Sequence, residues 1–204
     1  MHLIPKDNEV VSVLRETGAL RVGHFEYSNG MHANEYLQVP LAMRYYQYQR
    51  MLSVGLSRLL RANPEIRAII PQLSIVAPAT GGLPVAYGIC EALRAKQVYW
   101  AEREHNGEPL RFRQYLEQHP GEKVVLVDDI LRTGNKLTEL KSLLESRGAE
   151  VMGLAVIIYQ PTPTTYDFGS LPLYYLAKLD ASYYFDGGHC DLCKRGLPLE
   201  HVWI

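Results

Sequence analysis

Val124-Val125-Leu126-Val127-Asp128-Asp129-Ile130-Leu131-Arg132-Thr133-Gly134-Asn135-Lys136 runs an unbroken apolar stretch into two adjacent carboxylates and then a Thr-Gly turn. A continuous run of Val and Leu suits a strand covered on both faces, because a half-exposed strand would alternate apolar with polar side chains. The spacing predicts a strand over Val124–Val127 and a helix over Asn135–Ser146. The two acids then stand at the carboxyl end of a buried strand, the end at which open α/β sheets bind their ligands. The turn Arg132–Lys136 can aim backbone N–H groups, the Thr133 hydroxyl and a helix N-terminus at a phosphate, while Gly134 lets the backbone come close. Carboxylates beside such a cup suit a sugar phosphate. They accept hydrogen bonds from ribose hydroxyls and can hold a divalent ion through its water shell.

The same alternation of apolar run, glycine-rich turn and helix recurs on either side of this stretch. Leu73–Ala77 leads into Gly81-Gly82 and a helix reaching Leu93, Gln97–Trp100 is a further strand, and Val151–Tyr159 is the last. Repetition of this kind predicts βαβ units, hence an α/β fold with a mainly parallel sheet and helices on both faces. Upstream, Asp7–Leu14 has the spacing of a short amphipathic helix with Asp7 as its cap. His24–Val39 reads as a hairpin about Ser28-Asn29-Gly30, and Tyr46–Arg61 as a longer helix. The polar segment Ala101–Glu122, with Gly107 and Pro109, is too long for an ordinary connection and is expected to be a functional loop.

A chain of 204 residues with 47% hydrophobic and 21% charged side chains is expected to form one compact unit. A net charge of -1, without any Lys/Arg run, offers no electrostatic footprint for nucleic acid or an anionic membrane, which leaves a small polar ligand. Met1–Asp7 lacks a basic-then-apolar leader and no apolar run is bilayer-length, so a cytoplasmic location is expected. Three cysteines, Cys90, Cys190 and Cys193, form no disulfide framework.

The central stretch resembles the signature that binds 5-phosphoribosyl-1-pyrophosphate (PRPP) in type I phosphoribosyltransferases. Further segments are similar to orotate phosphoribosyltransferase of the bacterial and archaeal type. Gly23-His24-Phe25, Ser28-Asn29-Gly30-Met31-His32 and Tyr36 resemble its N-terminal base-binding segment, and Ala77-Pro78-Ala79-Thr80-Gly81-Gly82-Leu83-Pro84 its pyrophosphate loop. Ala101-Glu102-Arg103-Glu104 with Leu110-Arg111-Phe112-Arg113 resembles its mobile catalytic loop. Asp167-Phe168-Gly169 and Cys190-Asp191-Leu192-Cys193-Lys194 resemble its C-terminal part.

The resemblance implies a type I phosphoribosyltransferase fold spanning 1–204, with a small hood built from about 1–40 and 161–204. It implies that Asp128 and Asp129 bind ribose and, directly or through water, Mg²⁺, and that Arg132, Thr133, Gly134, Asn135 and Lys136 cup the 5-phosphate. Thr80, Gly81 and Gly82 would meet the pyrophosphate, Arg103 would neutralise it as the loop closes, and Phe25, Tyr36 and Tyr159 would border the base. The implied partners are PRPP, a nucleobase and a second copy of the chain.

The sequence departs from that pattern at named positions. Arg132 and Lys136 stand where Thr or Ser is common in the family, adding positive charge to the cup. Gln38-Val39 replaces an Asn-Lys pair, and Tyr159-Gln160 replaces the Asp-Arg whose arginine helps to hold orotate. An orotate carboxylate without a charged partner is costly in a partly buried site. With Arg132 and Lys136 assigned to the phosphate, poor orotate turnover is expected, with a gain on Gln160→Arg. A transferase for another base, or a regulator that senses PRPP without catalysis, fits the same departures.

Cys190 and Cys193, with His189 beside them, have the spacing of half a zinc site. No second Cys/His pair follows, so a structural turn is the expectation unless another chain completes the set. His105 is expected to be solvated, Cys90 to be core, and the tyrosine pairs 45–46, 174–175 and 183–184 to serve a subunit interface.

Overall fold

The computed structural model describes residues 4–105, 107–114, 116 and 119–202, so parts of the Ala101–Glu122 loop lie outside the described residues. The chain opens with α1 (Asp7–Glu16), then β1 (Leu20–Tyr27) and β2 (His32–Leu37), followed by α2 (Pro40–Met43), α3 (Tyr46–Ala62) and α4 (Pro64–Ile69). The central alternation is β3 (Ser74–Pro78), α5 (Gly82–Leu93), β4 (Gln97–Ala101), β5 (Lys123–Leu131), α6 (Asn135–Glu145), β6 (Glu150–Tyr159) and β7 (Leu173–Lys178). β8 (Tyr183–Tyr184), α7 (Asp191–Lys194) and β9 (Glu200–Val202) complete it.

The main sheet is all parallel, in the order β4-β3-β5-β6-β7. Its strands alternate between two cores, which is why an unbroken apolar run is needed. Val125 and Val127 face the side covered by α1, α3 and α5, while Val124 and Leu126 face the side where α6 buries Leu137, Leu140 and Leu144. Full burial of each such leucine is worth roughly 1.5–3 kcal/mol. The mostly antiparallel second sheet, β8-β2-β1-β9, has its own small core of Phe25, Tyr27, Ala33, Tyr36 and Val202.

Several expectations change in detail. Lys6, not Asp7, is the N-cap of α1, and its backbone N–H donates to the Glu9 carboxylate at 2.7 Å. α1 buries Val10, Val13 and Leu14 in the main core, which also takes in Leu20 of β1 and Leu37 of β2. The hairpin turns through Ser28, Asn29 and Gly30, with Gly30 at φ +79° and its N–H donating to the Tyr27 carbonyl at 2.8 Å. Val151–Tyr159 is not the last main strand, because β7 adds a fifth. Tyr174 and Tyr175 belong to β7: Tyr174 Oη accepts from Asn63 at 2.9 Å, and Tyr175 packs on Tyr159 with ring centres 5.4 Å apart. Both tyrosines thus have partners within the main-sheet layer. Among the described residues no helix is long and apolar enough to cross a membrane.

α3 and α5 pack so closely that Gly88 of α5 lies against Ser53 and Gln49 of α3. A Cβ built there would overlap the Ser53 hydroxyl and stand 2.8 Å from Ser53 Cβ. Gly88→Ala is therefore expected to destabilise by about 1–3 kcal/mol, seen as a thermal midpoint lowered by several degrees, despite the better helix propensity of alanine.

Candidate active site

The order β4-β3-β5 has a switch point: from β3 the chain first moves outward to β4, then returns to lay β5 on the other side of β3. Crevices form where the loops after two such strands diverge. β5 pairs with β3 only as far as Leu126 opposite Val76, yet continues alongside β6 to Leu131 opposite Tyr159. β5 is thus longer than its apolar run predicts. Asp128 and Asp129 lie within the strand, on the portion that β3 has already left.

A cavity of about 450 Å³ opens there, lined by Thr80 and Gly81 from the loop after β3, by Asp128–Leu137 from β5 and its turn, and by Leu37, Gln38 and Pro40 from below the small sheet. Asp128, Asp129, Arg132, Thr133, Gly134, Asn135, Lys136, Thr80 and Gly81 thus line one cavity. Gly82 stands behind them, where a Cβ would meet Asp128 Oδ1 at 3.2 Å and Ala77 Cβ at 3.0 Å. A Cβ on Gly81 would meet the Asp129 carboxyl at 3.0 Å. The glycine pair lets the loop after β3 close on the two acids. The Ala79–Thr80 peptide before it is cis.

The acids are tied locally. Asp128 Oδ1 accepts from the Asp129 N–H at 2.9 Å, and Asp129 Oδ1 accepts from the Ile130 N–H at 2.9 Å. Asp128 is 8% exposed. Burial pushes its carboxyl well above the ordinary range, the Asp129 charge adds to the rise, and Lys136 opposes it.

The phosphate-type turn is braced from behind. Thr165 Oγ1 donates to the Arg132 carbonyl at 2.5 Å, and Tyr166 N–H donates to the Thr133 carbonyl at 2.8 Å. Gly134 adopts φ +81° as the N-cap of α6, and a side chain there would also strike Phe168 at 3.1 Å. Tyr166 and Phe168 flank this glycine, which gives the Asp167-Phe168-Gly169 segment a packing role.

Arg132 turns its guanidinium toward the small sheet. Nε donates to Gln160 Oε1 at 2.9 Å, Nη2 donates to the Leu37 carbonyl at 3.2 Å, and Cζ lies 5.7 Å from the centre of the Tyr27 ring. Gln160 is fully buried; it also accepts from Tyr183 Oη at 2.8 Å and donates to Glu35 at 3.3 Å. Burial raises the Glu35 carboxyl, with Arg15 and Arg132 opposing, and pushes the Tyr183 phenol up to about 12. Glu35 lies in no motif, and Tyr183, singled out only as one of a tyrosine pair, carries no local signal for its bond to Gln160.

The remaining expected residues are not brought into this cavity. Phe25 and Tyr36 are 2% and 8% exposed, packed on one another in the small core with ring centres 5.8 Å apart. Tyr159 lines a separate cavity of about 320 Å³ with Thr162, Tyr166 and Phe168. Arg103 is ion-paired with Glu139 of α6 and donates to the Glu108 carbonyl, while Leu110 N–H donates to the same Glu139 at 2.5 Å. Burial raises the Glu139 carboxyl, but Arg103 and the Leu110 N–H outweigh it and hold it below the ordinary range. The described part of the loop, closed by the Glu102–Arg111 bridge, is latched to α6.

Residues 65–167 match the phosphoribosyl transferase domain family. The orotate phosphoribosyltransferase of Carboxydothermus hydrogenoformans is 33% identical over 191 residues, covering 94% of each chain. That of Thermotoga petrophila is 35% identical over 94% of this chain and 95% of its own. The crystal structure of the Aeropyrum pernix orotate phosphoribosyltransferase superposes with a TM-score of 0.65 at 20% identity, covering 83% of this chain and 93% of that one. The chain belongs to the phosphoribosyltransferases, and within them to the orotate phosphoribosyltransferase family.

A raised carboxyl pKa makes the folded state bind its proton more tightly than the unfolded chain does. Asp128 therefore costs stability progressively as pH rises from its ordinary value of 3.8 toward its folded value. Asp128→Asn keeps the acceptor oxygen and removes the charge. The variant should melt above the unsubstituted protein at pH 8, and the two curves should converge near pH 4; a lower midpoint at pH 8 would contradict the assignment.

Proposed function

We propose that the protein transfers the phosphoribosyl group of PRPP to orotate, yielding orotidine 5'-phosphate and pyrophosphate. The observation that carries this reading is the cavity at the β3/β5 switch point, where an acidic pair, a glycine-opened loop and the N-terminus of α6 face one space. The sequence relatives at 33% and 35% identity support orotate as the acceptor.

In this reading Asp128 and Asp129 accept hydrogen bonds from the ribose hydroxyls. Thr133, Gly134, Asn135 and Lys136 hold the 5-phosphate, with the first turn of α6 supplying N–H groups and a positive dipole end. Thr80, Gly81 and Gly82 meet the pyrophosphate. The base nitrogen attacks the anomeric carbon as the bond to pyrophosphate breaks, and the ribosyl-cation-like transition state lies near the carboxylates. Arg103 joins the pyrophosphate once it exchanges Glu139 for that more negative partner, so loop closure couples to bound substrate.

The acidic pair also fits a divalent ion, because a cation relieves the repulsion that raises the Asp128 carboxyl. Bound Mg²⁺, held by Asp128 and Asp129 directly or through water, would offset the charge of the pyrophosphate. A cytoplasmic homodimer, organised as one domain over 1–204, goes with this reading.

Arg132 changes what the sequence implies about the base. The arginine that the resemblance implies after the strand is absent, but the Arg132 guanidinium reaches Gln160, the residue standing at that place. A cation thus borders the cavity from the other strand, which favours an anionic acceptor and removes the reason to expect weak orotate turnover. It also reverses the expected effect of Gln160→Arg. A second guanidinium there takes the acceptor from Arg132 and Tyr183, so orotate KM is expected to rise at least about tenfold, as loss of a charged hydrogen bond worth roughly 1.5–3 kcal/mol implies.

The deciding experiment is a nucleobase panel with PRPP and Mg²⁺, read as pyrophosphate release. Orotate should outpace uracil, adenine and guanine, and Asp128→Asn/Asp129→Asn should remain folded yet lose Mg²⁺-dependent PRPP binding by more than about tenfold. Faster turnover of another base would reassign the acceptor. PRPP binding without turnover of any base would make the protein a PRPP sensor.

A further inference from the structure

Four side chains that could ligate a metal converge in the small sheet, apart from the residues lining the cavity. His24 on β1 and His32 on β2 meet Cys190 and Cys193 at the ends of the α7 turn. Their inward atoms all lie within 4.8 Å of one another. His24 Nε2 is 3.5 Å from each sulfur, His32 Nδ1 is 3.4 Å from Cys193 Sγ, and the two ring nitrogens are 3.0 Å apart. His24, His32 and Cys190 are 4%, 5% and 0% exposed.

We propose that His24, His32, Cys190 and Cys193 form a closed structural zinc site. Zinc takes four such ligands in a tetrahedron, with bonds of about 2.3 Å to sulfur and 2.0–2.1 Å to nitrogen. Those bonds set N···S edges at roughly 3.5–3.6 Å, and the observed separations are 3.4 and 3.5 Å. The donor set is selective, since thiolate with imidazole in S₂N₂ geometry favours zinc over the hard ions that carboxylates hold.

The outer contacts agree. His24 Nδ1 lies 3.0 Å from the Leu197 carbonyl, which can only accept, so the ring proton sits on Nδ1 and the Nε2 lone pair points into the cluster. That is the usual arrangement for a ligating histidine. With no vacant ligand position the ion would be structural: it would clamp the 187–197 segment onto β1 and β2 and so fix the approach of β9, which pairs with β1 through Phe25–Tyr27. His189, the histidine nearest the cysteines in sequence, is not a member; it is exposed and bonds Asp186 at 2.9 Å.

The test is metal analysis of the full chain purified under reducing conditions from zinc-supplemented medium. One zinc per chain should survive gel filtration, and stripping it with a chelator should lower the thermal midpoint by roughly 5 °C or more. Cobalt(II) put in its place should show tetrahedral d–d bands and thiolate-to-metal charge transfer. Cys193→Ala should lose the metal, whereas His189→Ala should keep all of it. Should Cys193→Ala not fold, zinc content and the cobalt spectrum of the unsubstituted protein still decide. Absence of stoichiometric zinc after reconstitution, a cobalt spectrum without thiolate charge transfer, or metal lost in His189→Ala would each overturn the proposal.

Discussion

Two carboxylates on consecutive residues of a buried strand repel one another, and much of this molecule can be read as the means of keeping them there. Both faces of β5 are covered by apolar cores, so the strand cannot slide to bring Asp128 into water without burying Lys123 or exposing Val124–Val127. The main-chain N–H groups of Asp129 and Ile130 donate to the preceding aspartate side chains, which holds the carboxyls in place. Lys136, which lines the same cavity, opposes the rise of the Asp128 carboxyl without cancelling it. A site that costs energy when empty and gains it when filled by a cation and a hydroxylated ligand is suited to binding, and natural proteins keep such strain where function uses it.

Charge that the acids lack nearby is distributed to the rim. Lys136 approaches from α6, and Arg132 leans to the small sheet and joins the two halves of the protein through Gln160, Leu37 and the Tyr27 ring. A guanidinium can do this because its planar fork serves several acceptors at fixed angles; a threonine or serine at the same position would stay within the turn. An arginine at 132 therefore ties the turn after β5 to the small sheet, which a short hydroxyl side chain could not reach.

The extent to which the sequence disclosed this follows from the range of each interaction. Strands β3, β4, β5 and β6 and helices α5 and α6 were legible because an apolar run and a helical period are local signals. β7 was not: its Leu173-Tyr174-Tyr175-Leu176-Ala177-Lys178 shows no period-2 alternation, and its tyrosine pair suggests an interface until β6 is set beside it. The turn at 132–136 drew attention because its turn chemistry is local, whereas the loop at 80–82 was marked only by its resemblance to a family segment; the structure brings Thr80, Gly81 and residues 132–136 to one cavity. The partners of Arg132 and Arg103 could not, since Gln160 lies 28 residues from the first and Glu139 lies 36 from the second. Phe25 and Tyr36 looked like base contacts by motif, yet a small sheet needs some core of its own, and these two rings supply it. The histidines at 24 and 32 and the cysteines at 190 and 193 are two short-range pairs whose meeting only the folded topology reveals.

The small sheet interleaves strands from opposite ends of the described chain: β2 lies between β8 and β1, and β1 lies between β2 and β9. During synthesis a chain forms its earlier segments first. All five strands of the main sheet precede β8, so the β3/β5 crevice can assemble while both long edges of the β1–β2 hairpin are still bare. Unpaired edges of this kind are templates for pairing with other chains. This fold order gives the nascent protein an interval of exposure that ends only when residues 183–202 dock, and it makes that late segment a guard against aggregation as well as part of the finished fold.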